Sequence, residues 1–137
     1  MLGCTLFSCA AAPVQGLGVH DGGLAACPSS PNCVHSGDAN PDRRIEGLPA
    51  NGEVDAVMDR VARLVEARPR VRIVERDGAY LHAEFRSRVF GFVDDMEFLY
   101  LPDQGVVQMR SAARSGWWDF GVNRDRARLL REEWLKG

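Results

Sequence analysis

The sequence predicts an α+β domain: an antiparallel sheet of about four strands, arranged as two hairpins, with two helices packed on one face. Three observations carry this. Val54, Val57, Met58, Val61, Leu64 and Val65 recur at i, i+3, i+4, i+7, i+10 and i+11, one apolar stripe at the helical period. Asp77-Gly78 joins two extended runs as a two-residue hairpin signal. Pro102-Asp103-Gln104-Gly105 turns a third extended run back into a fourth.

The first helix begins near Gly52-Glu53, with Asn51 as its expected cap. Glu53 and Asp55 lie in its first turn, where the helix dipole favours acids. Asp59 and Arg63 are spaced as a supporting i,i+4 pair, and Pro69 stops the helix. Val71 to Glu75 reads as a strand, and Ala79 to about Arg88 as its return. In the return strand Leu81, Ala83 and Phe85 alternate with Tyr80, His82, Glu84 and Arg86, so one face is apolar and the other polar. His82 on the polar face reads as a solvated or hydrogen-bonded histidine rather than a ligand.

Val89 to Leu101 forms the third run, and Val106 to Arg114 returns from it. A four-residue loop places Leu101 opposite Val106, Glu97 opposite Arg110 and Asp95 opposite Ala112. Asp95, Glu97, Arg110 and Arg114 then share one sheet face. Met96, Phe98, Tyr100, Val107 and Met109 share the other, which is the expected core. Asp94 falls on that core face and requires a partner there. Ser115 to Val122 is a Gly- and aromatic-rich loop, and Asn123 is the expected cap of a last helix through about Lys136. Ala127, Leu130 and Trp134 give that helix a short apolar stripe.

At 137 residues the chain has room for one domain, read as residues 20–137 behind a leader and tether at 1–19. Residues 1–41 hold only two of the 36 charged residues, Asp21 and Asp38. The remainder carries 17 acids and 17 bases, which argues against a dedicated nucleic-acid binder. No run of about 20 strongly apolar residues exists to span a membrane. Met1 to Ala12 resembles the end of a secretory signal, although the basic start is missing. Leu6-Phe7-Ser8-Cys9 resembles a bacterial lipobox. The expectation is therefore an exported protein, periplasmic or membrane-anchored, lipidated on Cys9 and held to the membrane by that anchor.

Cys27 and Cys33 enclose five residues, and an exported chain makes a disulfide between them reasonable. Free thiols are the alternative. Zinc and cysteine catalysis have little support: the spacing is not Cys-x-x-Cys, and His35 is the one histidine nearby. No metal site and no cofactor is expected, because no phosphate-cradling glycine loop and no histidine cluster is present.

Three blocks resemble the bacterial and plastid proteins grouped as domain of unknown function 1499. They are Leu24 to Val34 (LAACPSSPNCV), Phe85 to Phe98 (FRSRVFGFVDDMEF) and Arg110 to Arg126 (RSAARSGWWDFGVNRDR), and together they span about residues 20–133. Members of that family are often exported or lipid-anchored, which agrees with the reading of Cys9. The family has no established activity. This chain has Trp117-Trp118 where a smaller or single aromatic residue is usual, and Ala113 where Ser is common.

Asp94, Asp95, Glu97, Arg110, Arg114, Asp119, Asn123 and Arg124 support three readings. In the first they form a structural network: Asp94 or Asp95 pairs with Arg110 or Arg114, and Asp119 pairs with Arg124 or holds loop amides. In the second, Arg110, Arg114 and Arg124 hold an anionic small molecule and Trp117, Trp118 and Phe120 wall it in. In the third, Asp95 and Glu97 act as a carboxylate pair in a hydrolase acting on envelope glycans. The expected role is binding, of an anionic ligand or an envelope protein, rather than catalysis.

Overall fold

The computed structural model describes residues 16–137; residues 1–15, with Cys9 and its expected lipidation and most of the expected leader and tether, lie outside the described residues. The chain forms, in order, β1 (Val19–His20), β2 (Gly23–Leu24), β3 (Cys33–His35), β4 (Leu48–Pro49), α1 (Val54–Glu66), β5 (Val71–Asp77), β6 (Tyr80–Arg86), β7 (Val93–Leu101), β8 (Val106–Ala113) and α2 (Val122–Lys136). A 3-10 turn at Pro102–Gln104 links β7 to β8.

The α+β class holds, but the main sheet has six strands rather than about four. The two expected hairpins supply β5–β6 and β7–β8, and β6 pairs with β7 to join them. The two further strands, β3 and β4, both pair antiparallel with the outer side of β8. They are three and two residues long, too short to show an alternation in sequence. Gly47 lets the segment before β4 lie against β8, because a Cβ there would come within 2.6 Å of Val106 Cγ2 and 2.8 Å of the Val107 carbonyl.

The β7–β8 register is the expected one: Leu101 faces Val106, Glu97 faces Arg110 and Asp95 faces Ala112. Gly105, at φ 63°, makes the left-handed exit from the 3-10 turn that fixes this register. The β5–β6 turn is shifted by one residue. Asp77 pairs with Tyr80, so Gly78 and Ala79 form the loop. The third strand begins at Val93 instead of Val89, because residues 87–92 turn back through hydrogen bonds between Ser87 and Phe92.

Both helices cover one sheet face. Val57, Met58, Val61 and Val65 of α1, with Ala127, Leu130 and Trp134 of α2, bury against Leu81, Ala83, Met96, Phe98, Tyr100, Val107 and Met109. Burying these side chains is the main stabilising term, at about 1.5–3 kcal/mol for each large one. Trp134 also donates to the Pro49 carbonyl at 2.8 Å and lies under the Arg60 guanidinium.

Three helix details differ from expectation. Glu53, not Asn51, stands at the cap of α1, without a side-chain bond, and the Tyr100 hydroxyl donates to the Gly52 carbonyl just before it. Asp59 pairs with Arg76 on β5 in place of Arg63, because the strand brings a cation across from another element. Gly121 caps α2 in left-handed geometry, and Asn123 is buried inside the first turn. The Asp119 carboxylate does the capping: it accepts from the backbone N–H of Gly121 at 2.9 Å and of Asn123 at 3.2 Å. None of the helices among the described residues is long and apolar enough to cross a membrane.

Candidate functional site

The strand alternation that sends Met96 and Phe98 to the core sends Asp95 and Glu97 to the opposite face. Cross-strand pairing adds Tyr80, His82 and Glu84 from β6, Arg110 from β8, and Cys33 and His35 from β3. The sequence marks this face as polar; in the folded chain it is largely buried. Residues 16–33 run across it as a strap. The Gly18 N–H donates to Glu97 Oε2 at 2.7 Å, the Leu24 N–H donates to Gln108, and the Leu24 carbonyl accepts from His35 Nε2 at 3.2 Å. The Gly37 N–H donates to His35 Nδ1, which assigns the proton to Nε2. The strap has no apolar periodicity, so its covering role leaves no signal in the sequence.

Two polar groups result. In the first, Tyr80 donates to Glu97 at 2.6 Å, and Arg110 Nη1 reaches Glu97 Oε1 at 3.4 Å. Glu97 is fully buried. Burial, then the hydrogen bond to Glu97 and its charge, push the Tyr80 hydroxyl well above the ordinary tyrosine range. In the second, Arg114 holds Asp95 with bonds of 3.0 and 2.6 Å and reaches Glu84 at 2.6 Å. His82 Nε2 meets Asp95 at 2.8 Å, and Arg72 meets Glu84 at 2.9 Å. The hydrogen bond from Arg114 lowers Glu84, against some opposition from burial. Burial alone would raise Asp95, but the bonds and charges of His82 and Arg114 outweigh it and leave the carboxyl low. Asp95 and Glu84 in turn raise Arg114. An Asp95 held ionised is suited to anchoring a cation, the reverse of what a general acid requires.

Asp94 lies on the core face and has its partner there, Arg126 at 2.8 Å, not Arg110 or Arg114. Around it, Asn123 accepts from Ser111 at 2.5 Å and donates to Asp119 at 2.8 Å and toward the Asn32 carbonyl at 3.5 Å. Asp119 holds loop amides rather than Arg124.

The single pocket expected for the arginines and aromatics is divided in two, because Arg110 and Arg114 sit on the sheet while Arg124 sits on α2. One cleft, about 230 Å³, is lined by Arg110, Arg114 and Asp95 with Ser30, Asn32 and Gly116. Its roof is the loop closed by the Cys27–Cys33 disulfide, whose Cα atoms are 5.7 Å apart. Asn32 ties that roof to the aromatic loop by donating to the Gly116 carbonyl at 2.6 Å. The other cleft, about 490 Å³, is lined by Arg43, Arg124, Trp118 and Phe120. There Arg124 is committed to the Arg44 and Asp42 carbonyls, at 3.0 and 2.6 Å, and Arg43 to those of Pro28 and Ser29. Trp117 points to solvent.

Arg110 differs from the other cations. It is 4% exposed, its one hydrogen bond among the described residues is the 3.4 Å contact to Glu97, and its buried Nε has no partner. A guanidinium has five donors, and leaving a buried one unmatched costs about 1–3 kcal/mol.

Residues 23–134 match the family model described as protein of unknown function (DUF1499). No curated protein and no solved structure shows significant similarity to the chain.

Proposed function

The chain belongs to the DUF1499 family, whose description names no activity, and we propose from the geometry of its polar cleft that it is a binding domain for a small anionic group. The acceptor is a carboxylate or phosphate oxygen seated between Arg110 and the disulfide-closed roof. The observation that carries this reading is the Arg110 guanidinium at the wall of the cleft, whose side chain makes one hydrogen bond among the described residues, the 3.4 Å contact to Glu97. An anionic acceptor would take a charge-assisted bond from the part of the guanidinium that lines the cleft. Ser30 and Asn32 place polar side chains around the opening. Arg114 commits its Nε and Nη2 to Asp95 and Glu84, and these two carboxylates already offset its charge, so it shapes the cleft more than it holds the ligand. The work site is the cell envelope, with anchorage through Cys9. The lipobox-like Leu6 to Cys9 and the Cys27–Cys33 disulfide support this, since disulfides persist in oxidising compartments.

The test is thermal unfolding in phosphate, acetate or chloride at equal ionic strength, on the native chain and on Arg110→Lys. Lysine keeps a cation beside Glu97 but removes the planar fork. Phosphate or acetate raises the midpoint of the native chain by a few degrees over chloride, as ligand linkage requires, and leaves Arg110→Lys unmoved. Equal midpoints in all three salts for the native chain sink the reading.

A further inference from the structure

The end of the sheet where β6 and β8 finish and β7 begins carries two loops side by side. Arg86 pairs with Val93, and the Arg114 N–H donates to the Val93 carbonyl, so residues 87–92 and 115–121 leave the sheet at the same edge. Both expose large aromatic side chains. Phe90 is 77% exposed and meets Phe92 in a tilted contact, with ring centroids 5.6 Å apart. Phe120 is 84% exposed and meets Trp118 edge-on at 6.4 Å, with Trp117 beside them in solvent. Scattered apolar side chains are ordinary on a surface, but five large aromatics on two adjoining loops are not.

The backbone holds one of them out. Phe120 has φ 56°, a left-handed conformation that is strained for a bulky residue. Asp119 fixes it there by gripping the amides of Gly121 and Asn123. Within the chain the ring gains almost no burial in return.

The charges at this end are mostly of one sign. Arg68 and Arg70 precede β5, Arg86 ends β6, and Arg88 lies within the first aromatic loop. Among the described residues none of these four joins an ion pair; Arg70 donates to the neutral Arg86 carbonyl, which leaves its charge uncompensated. Of the acids nearby, Asp94 pairs with Arg126, Asp125 with Arg128 and Asp119 with backbone amides, which leaves Glu66 at the end of α1 as the exposed counter-charge.

From these observations we infer that this end of the domain docks on a lipid bilayer surface containing anionic headgroups. Aromatic rings enter the headgroup region, while arginines just behind them meet lipid phosphates. The loops project, so they fit a deformable surface better than a groove. This docking requires no ligand at Arg110 and no acyl chain.

The experiment uses the full chain with Cys9→Ser, the expected lipidation site, and with Cys4→Ser, the other cysteine near the start of the sequence, so that no lipid is attached. It is mixed with vesicles of phosphatidylethanolamine, with and without phosphatidylglycerol. Trp117 and Trp118 report entry through a blue shift in emission; Trp134, buried under α1, supplies a constant background. The expected result is co-sedimentation and a blue shift with the phosphatidylglycerol vesicles, both reduced by salt. Phe90→Ser combined with Phe92→Ser keeps both reporters and the urea midpoint, and lowers partitioning by about tenfold or more. Arg86→Glu with Arg88→Glu removes the preference for phosphatidylglycerol. Absence of binding at low salt overturns the inference, as does binding that the Phe90/Phe92 variant leaves unchanged. Concentration-dependent self-association that this variant abolishes, without vesicle binding, assigns the surface to a second copy of the chain and also overturns it.

Discussion

Arg114, one residue past the end of β8, grips the Asp95 carboxylate with two hydrogen bonds while Asp95 itself is 1% exposed. A buried ion pair adds little over an apolar pair of equal volume, yet removing one partner leaves the other charge stranded. Arg114→Met therefore lowers unfolding free energy by about 3 kcal/mol, with Glu84 adding to the loss. Arg114→Met combined with Asp95→Leu recovers part of it. Urea denaturation of the two variants measures the difference, and a double variant no more stable than Arg114→Met contradicts the account.

The same groups set the response to pH. Asp95 and Glu84 are lowered in the folded chain. The unfolded chain therefore binds their protons more readily, and their contribution is complete above the ordinary carboxylate pKa near about 4. It is lost as pH falls through the lowered native values. Tyr80 is raised, so its contribution is complete below the ordinary tyrosine pKa near about 10 and is lost as pH climbs beyond it. For these groups the stability profile is flat between those limits. Tyr80→Phe removes the alkaline fall while costing about 1–3 kcal/mol at neutral pH, because Glu97 loses a donor. Urea midpoints across the pH range show both effects.

How much of this was legible in sequence depended on how far each interaction reaches. The Glu97–Arg110 and Asp95–Ala112 pairings followed from one four-residue turn, because period-2 alternation carries a register along a whole hairpin. The core stripe of α1 was equally local. The burial of His82, Tyr80 and Glu84 was not, since the strap that covers them comes from a segment with no periodicity. Asn123 looked like a cap because its residue type favours that position, whereas Gly121 and Asp119 fill the role by backbone geometry that composition does not reveal. The separation of Arg124 from Arg110 came from which face α2 turns to the sheet.

The Asn123 side chain links Ser111, Asp119 and the Asn32 carbonyl from a fully buried position. Asn123→Leu removes these contacts and the one from Arg126 at 3.0 Å, and leaves the Ser111 hydroxyl without its acceptor. The expected loss is about 2–4 kcal/mol, larger than the ~1–2 kcal/mol expected for Asp119→Ala, which removes the capping carboxylate and one acceptor of the Asn123 amide. Thermal unfolding of both variants establishes the order.

Cys27 and Cys33 are separated by six positions, so the covalent loop between them is small. By chain entropy its closure adds about 2 kcal/mol. Reduction adds two hydrogens to the intact mass and lowers the urea midpoint by that modest amount. Arg110→Lys probes the floor of the same cleft separately, because its guanidinium comes from β8.

The strap also bears on the order of assembly. Its contacts span large stretches of chain: Gly18 reaches Glu97 across 79 positions, and Leu24 reaches Gln108 across 84. Closing such loops is entropically slow, while the hairpins close locally. The segment synthesised early thus reaches its resting place only after β8 has formed. Until then Asp95 and Glu97 remain hydrated, and the short disulfide loop can close ahead of the sheet that will seat it. Substitutions in the strap should therefore hasten unfolding and leave the folding rate nearly unchanged.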